Sequence, residues 1–190
     1  MSISVIYAQS LNLVIGQDNS LPFKSKMDMR HFRALTTGKI VIMGRKTFES
    51  IGFSTLANRT NVVVTKSDEA PIVPGVTYVK SLEEALEKFP TGERFVIGGK
   101  HFIQAAIPMA DKVYRTTFNK VLPVNENTIQ LDKDFILYDD TYMYYPDYNG
   151  TKHFFRGVTE TVFTEHNLNT KTKDIFGIIE LTREKPSYIK

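Results

Sequence analysis

Asp28 is the residue whose type and placement most need a chemical explanation. On a helical wheel over residues 24–36 it shares a face with Met29, Phe32 and Leu35, while Lys26, Arg30 and Arg33 lie away from that face. A carboxylate on an apolar face must be paired, solvated or neutral, because burying an unpaired charge is costly. Two readings follow. Asp28 is a helix-start carboxylate favoured by the helix dipole, or it awaits a ligand with paired N–H donors, such as an amino-pyrimidine ring. In the second case Phe32, one helical turn on, supplies a flat apolar wall. Arg59, in a polar loop, is either a surface arginine or a planar fork for a substrate carboxylate.

A second kind of chemistry is suggested at two glycine corners. Gly44-Arg45-Lys46-Thr47 follows one apolar run and opens a helical stretch, and Gly98-Gly99-Lys100 does the same after another. A strand, a glycine turn and a helix start present free N–H groups and a positive dipole end, which suit an anion. Side by side, the two corners could hold a pyrophosphate, with Arg45, Lys46 and Lys66 adding charge for a third phosphate. The alternative is a pair of ordinary strand-to-helix turns in which glycine serves the backbone. His31, His101, His153 and His166 have no metal-ligand spacing, and no nucleophile elbow or Walker loop is present.

These residues need a scaffold, and 190 residues with 42% apolar side chains can supply one core. One domain over 1–190 is expected. The net charge of +3 is far short of a nucleic-acid-binding stripe. Without cysteine, disulfides and thiolate metal sites are excluded, which fits a reducing compartment; a cytoplasmic location is expected. No apolar run reaches the roughly 18 residues of a membrane span. Met1 to Gly16 lacks a basic leader and is broken by Gln9, Ser10 and Asn12, so a signal peptide is not expected there.

Local pattern predicts strands at 2–8, 40–43, 61–65, 76–79, 94–97, 112–118, 153–163 and 175–182. Residues 11–23 carry loop chemistry. Ser81-Leu82-Glu83-Glu84 reads as a capping box, with Leu82, Ala85, Leu86 and Phe89 at helical spacing. A further helix places Phe102, Ile103, Ala106 and Ile107 on one face. Strands alternating with helices predict parallel crossovers, and the strand-only last third predicts an antiparallel edge. Such sheets bind ligands at the carboxyl ends of their strands. Five of the nine tyrosines fall in 138–148, where packing against the sheet is the preferred reading over a binding surface.

Several stretches together resemble the dihydrofolate reductases: Val14-Ile15-Gly16, Leu21-Pro22-Phe23, Asp28 with Phe32, Val41 through Gly52, and Val96-Ile97-Gly98-Gly99. Their order and approximate spacing match, best over residues 2–118. The resemblance implies an α/β fold, a mostly parallel eight-stranded sheet with flanking helices and an antiparallel C-terminal edge. It also implies reduction of 7,8-dihydrofolate by hydride transfer from NADPH, with no nucleic-acid or membrane partner and a monomer or homodimer.

By the same resemblance, Asp28 would hold the amino-pyrimidine edge, Phe32 and Ile51 would sandwich the pterin and benzoyl rings, and Ile6 and Ile97 would line the pocket. Thr116 would bond near Asp28, and Arg59 would take the glutamate α-carboxylate. Ala8 and Ile15 would receive the nicotinamide carboxamide. Arg45, Lys46 and Thr47 would hold phosphates after Gly44, with Thr65 and Lys66 near the 2′-phosphate. Gly98, Gly99 and Lys100 would let the backbone approach the cofactor, and the Gly98–Gly99 bond would be cis.

The sequence departs from the common pattern at Phe23, where a tryptophan is usual, at Ile103, where a tyrosine is common, and at 53–58, which replaces a proline-rich loop. With one carboxylate, Asp28 would anchor the ring and favour its protonated form while water delivers the proton, and the 11–23 loop would cover the nicotinamide. Two alternatives stand beside this reading: a reductase of a ribosylated pyrimidine using the same cofactor, and a folate-binding module without turnover.

Overall fold

A computed structural model describes residues 2–133, 135, 137–138, 143–146, 152–167 and 172–184. In chain order the strands are β1 (Ser2–Ser10), β2 (Val14–Gln17), β3 (Ile40–Gly44), β4 (Thr60–Val64), β5 (Val76–Val79), β6 (Glu93–Gly98), β7 (Lys112–Phe118), β8 (Thr128–Gln130), β9 (Leu137–Tyr138), β10 (Met143–Pro146), β11 (Lys152–Asn167) and β12 (Thr172–Arg183). The helices are α1 (Lys26–Thr36), α2 (Arg45–Ser50), α3 (Leu82–Lys88) and α4 (Lys100–Ala106).

One sheet runs β5-β4-β3-β6-β1-β7-β12-β11-β10-β9. The six strands from β5 to β7 are mutually parallel, and β12 turns the sheet antiparallel. Eight strands make up the expected sheet, and two short strands, β9 and β10, extend it to ten. The tyrosine-rich stretch 138–148 lies largely outside the described residues.

Alternation along the central strand divides the core. Val5 and Tyr7 of β1 point to the face covered by α3 and α4, where they join Ile42, Val96, Leu82, Ala85, Ile103 and Ala106. Ile6 points the other way, to a cluster with Val41, Met43, Phe48 and Phe95 against which Phe32 and Leu35 of α1 pack. Side chains of a strand alternate between faces, so an apolar run such as Ile40–Met43 can serve both layers at once.

The helices start where side chains can cap them. Ser81 accepts from Glu84 N–H at 3.1 Å, and the Glu84 carboxylate reaches back to Lys80 N–H at 2.7 Å, one residue beyond the N-cap. Ser25 caps α1 in the same way, accepting from Asp28 N–H at 3.0 Å. The wheel misplaced Met29, which is 39% exposed. It stands about 100° around the helix from Asp28, at the edge of the buried stripe, and Met27 packs inward instead, against the cluster containing Phe118.

The 11–23 loop contains more order than its composition suggested. Within it β2 pairs antiparallel with β8, and Val14 is fully buried. Each strand has three or four residues and its partner is remote in sequence, so no local pattern announces the pairing. Among the described residues no peptide bond is cis, so the expected cis link at Gly98–Gly99 is trans here. No helix among them is long and apolar enough to cross a membrane.

Candidate active site

The carboxyl ends of β1, β6 and β7 lie side by side, with Ala8 opposite Thr116 in register. Helix α1 crosses over them. Its Asp28 accepts a hydrogen bond at Oδ1 from Thr116 Oγ1 at 2.7 Å. Oδ2 has no hydrogen-bond partner among the described residues, so half of the carboxylate's acceptor capacity is unused there. Burial pushes the Asp28 carboxyl above its ordinary range, opposed by the Thr116 bond and the nearby His31. Loss of hydration disfavours the charged form, and a donor to the charged form favours it.

Phe32 stands one turn further along α1, packed with Ile6 and Ile97 on the same cluster. Arg59 arrives from the loop before β4. Its Nε donates to Thr36 Oγ1 at 2.8 Å and its Nη1 to Ala57 O at 2.6 Å, and the guanidinium carbon lies 5.8 Å from the centre of the Phe32 ring. Thr36 is fully buried and donates to Phe32 O at 2.8 Å. Asp28, Phe32 and Arg59 therefore sit along one side of α1, in that order.

His31 shares that helix. Its Nε2 is buried with no hydrogen-bond partner among the described residues, its ring stands edge-on to Tyr114 at 6.2 Å, and burial lowers its pKa. The approach to α1 is set by rings. Phe23 stacks on Phe118 at 4.2 Å and 7°, Phe118 meets Phe176 at 4.8 Å, and Phe176 meets Phe163 at 5.4 Å. Phe23 has no ring N–H to donate, and it is held by its stack on Phe118 and by packing on the cluster of Phe118, Phe176 and Ile178.

The two glycine corners do meet. Strands β3 and β6 are neighbours, with Met43 opposite Gly98. A Cβ on Gly98 would stand 2.8 Å from Thr47 Oγ1, and one on Gly44 would stand 2.7 Å from the Phe102 ring. Each corner thus has a side chain of the other pressed against it, and only glycine leaves room for both. Neither α2 nor α4 has a side-chain cap at its start. Their first N–H groups remain open, as an anion would need.

The expected cations are less uniformly available. Lys46 and Lys66 are exposed. Arg45 pairs with Glu49 at 2.6 Å. Lys100 is turned to Asp132 at 2.6 Å, and Gln104 holds the other oxygen of that carboxylate at 2.7 Å. Thr65 is buried, its hydroxyl accepting from Ser67 N–H at 3.2 Å, beside a cavity of about 260 Å³ that also borders Tyr78, Lys80 and Glu84. Ile15 lies on β2, packed on the α3/α4 side of the core. Ile51, expected opposite Phe32, closes α2 at 36% exposure and is outside the cluster that holds Phe32. No group of three or more His, Asp or Glu side chains that could hold a metal occurs among the described residues.

Three contributors were not singled out from sequence. Thr36 positions Arg59, Glu165 meets the start of α1, and Ser25 caps it. A signal existed only for Ser25, because Ser25-Lys26-Met27-Asp28 has capping-box spacing.

A family model described as dihydrofolate reductase matches residues 2–157. The dihydrofolate reductase of Bacillus subtilis (strain 168) is 44% identical over 115 residues, covering 60% of this chain and 67% of the relative. The type 3 dihydrofolate reductase of Salmonella typhimurium is 44% identical over 117 residues, 61% of this chain and 71% of the relative. Among solved structures, the Enterococcus faecalis dihydrofolate reductase complexed with NADP(H) and RAB-propyl superposes with a TM-score of 0.74 over 97% of both chains, at 22% identity, a likeness of fold. With a family match spanning most of its length, and a helix carrying Asp28 and Phe32 beside a sheet whose strands end in two facing glycine corners, this chain belongs to the dihydrofolate reductase family.

Proposed function

We propose that the cleft between α1 and the carboxyl ends of β1, β6 and β7 binds the pterin of 7,8-dihydrofolate for reduction to 5,6,7,8-tetrahydrofolate, with NADPH across the two glycine corners. The observation that carries this reading is the Asp28 carboxylate, half-buried and fixed at Oδ1 by Thr116 while Oδ2 has no hydrogen-bond partner among the described residues. A carboxylate so held is complementary to paired N–H donors on a flat heterocycle. Phe32 forms the wall beside that ring, Ile6 and Ile97 floor it, and Arg59 receives the carboxylate of the substrate's tail.

The cofactor, when bound, supplies the hydride. Its phosphates fit the uncapped starts of α2 and α4, with Thr47 between the corners and Arg45, Lys46 and Lys66 around them. Lys100 would have to leave Asp132 to join them. Asp28 anchors the pterin and stabilises positive charge on the ring. Glu165, the other carboxylate whose charge reaches Asp28, is taken up by Ser25 and Lys26, and water delivers the proton. Ala8 and Ile15 frame the nicotinamide end, and the β2 segment covers it.

The test is the loss of NADPH absorbance on adding dihydrofolate, with wild type and Asp28→Asn compared at neutral pH. Steady oxidation by wild type and a loss of about a hundredfold or more in the variant are expected for a group acting in the transition state. Equal turnover by the two proteins would remove Asp28 from the mechanism.

A further inference from the structure

Asp28 is held from two directions, and only one of them is its bond to Thr116. The other begins on β11. Glu165 accepts from Ser25 Oγ at Oε2, 2.5 Å away, and from Lys26 N–H at Oε1, 3.0 Å away. Ser25 Oγ in turn accepts from Asp28 N–H at 3.0 Å. One carboxylate from the far end of the chain thus takes both the hydroxyl proton of the N-cap and the first free N–H of α1. The first N–H groups of a helix have no partner inside it, and a carboxylate is the acceptor best suited to them.

The same hairpin reaches the other side of Asp28. Glu165 lies opposite Asp174 on β12, and β12 places Ile178 opposite Thr116 on β7. The strand β12, registered against Thr116 of β7, is thus also the partner of the strand whose Glu165 seats the start of the helix bearing Asp28.

We propose that Glu165 is a positioning residue for the reaction, clamping the first turn of α1 through Ser25 and Lys26 so that the Asp28 carboxylate rests on Thr116 with its free oxygen in the cleft. This rests on the reading of Asp28 as the pterin anchor. Glu165 touches neither ring; it acts through the backbone that bears Asp28. Its negative charge also reaches Asp28, alongside His31 from α1 itself.

Steady-state kinetics of Glu165→Gln, Glu165→Ala, Ser25→Ala and the Ser25→Ala/Glu165→Ala double variant test this, with Asp28→Asn as reference. Glu165→Ala should lower kcat/KM for dihydrofolate by about tenfold to a hundredfold, the scale of a small misplacement of a reacting group, with KM for NADPH unchanged. Glu165→Gln keeps one acceptor and should retain more of the rate, while moving the low-pH limb of kcat/KM to lower pH. In the double variant, Glu165→Ala should add little to Ser25→Ala, since both break one chain of bonds. Wild-type kcat/KM and pH profile in Glu165→Ala overturn the proposal. So does an equal loss for both substrates in Glu165→Ala and Glu165→Gln that tracks a fall in melting temperature, because the role is then structural only. An active Asp28→Asn enzyme brings down the reading of Asp28 itself, a result separable from an inactive Asp28→Asn beside an unaffected Glu165→Ala.

Discussion

Thr116 donates its hydroxyl proton to Asp28 at 2.7 Å across 88 positions of sequence. That bond lowers the pKa of a carboxyl which burial raises. Replacing Thr116 by valine removes the donor and keeps the shape. Asp28 then holds its proton to higher pH, so the acidic limb of kcat/KM should move upward. Stability at neutral pH should fall by about 1 kcal/mol, the usual scale of one hydrogen bond. A pH profile superimposable on that of wild type would show that the bond does not govern Asp28.

Asp28→Asn should raise thermal stability at neutral pH even as it removes activity. The folded-state pKa of Asp28 lies above its value in the unfolded chain. The folded state therefore binds more protons between the two values, and the Asp28 contribution is most favourable below the unfolded pKa. It is lost as pH rises through the folded pKa. Melting temperatures of the two proteins should differ most at neutral pH and converge as pH falls toward 4, near the ordinary carboxylate value. A gap that widens on acidification would contradict the raised pKa.

Arg59 is aimed by Thr36 and Ala57 O. Arg59→Ala should raise KM for dihydrofolate by roughly tenfold to a hundredfold, the scale of a charge-assisted hydrogen bond, and leave kcat nearly unchanged. Arg59→Lys should rescue little, because an ammonium lacks the planar fork. Thr36→Val should show a weaker version of the same KM effect, since it frees the guanidinium without removing it. A substrate analogue without the glutamate tail should not distinguish these variants from wild type.

Gly98→Ala should act on the cofactor side. The added Cβ would meet Thr47 Oγ1 at 2.8 Å and Cγ2 at 2.9 Å, so the start of α2 must shift. Overpacking of this kind costs about 1–3 kcal/mol, and the first turn of α2 is where a phosphate would sit. KM for NADPH should rise well above wild type with a smaller change for dihydrofolate. Unaltered NADPH affinity would mean that the corner is a packing device alone.

Much of this protein could be read without coordinates because its governing interactions are local. The apolar run Ile40–Met43, the Ser81 capping signal and the helical spacing of Leu82 to Phe89 each depend on neighbours within a few residues, and each became the expected element. Asp28 beside Phe32 was legible for the same reason, as was the pairing of a glycine turn with a helix start at Gly44 and Gly98.

What depended on the order of strands was not legible. Glu165, which reaches Asp28 through Ser25, comes from a strand that meets α1 only after the sheet has assembled, and Thr116 was expected beside Asp28 through the family resemblance, not from any pattern along the chain. The seat of Arg59 on Thr36, the β2–β8 ribbon inside an apparent loop, and the diversion of Lys100 to Asp132 are of the same kind. Periodicity along the chain tells which side of an element is buried, because that is a property of the element's own geometry. It says nothing of which remote side chain will stand opposite, because that is decided by how strands are ordered and registered in the sheet.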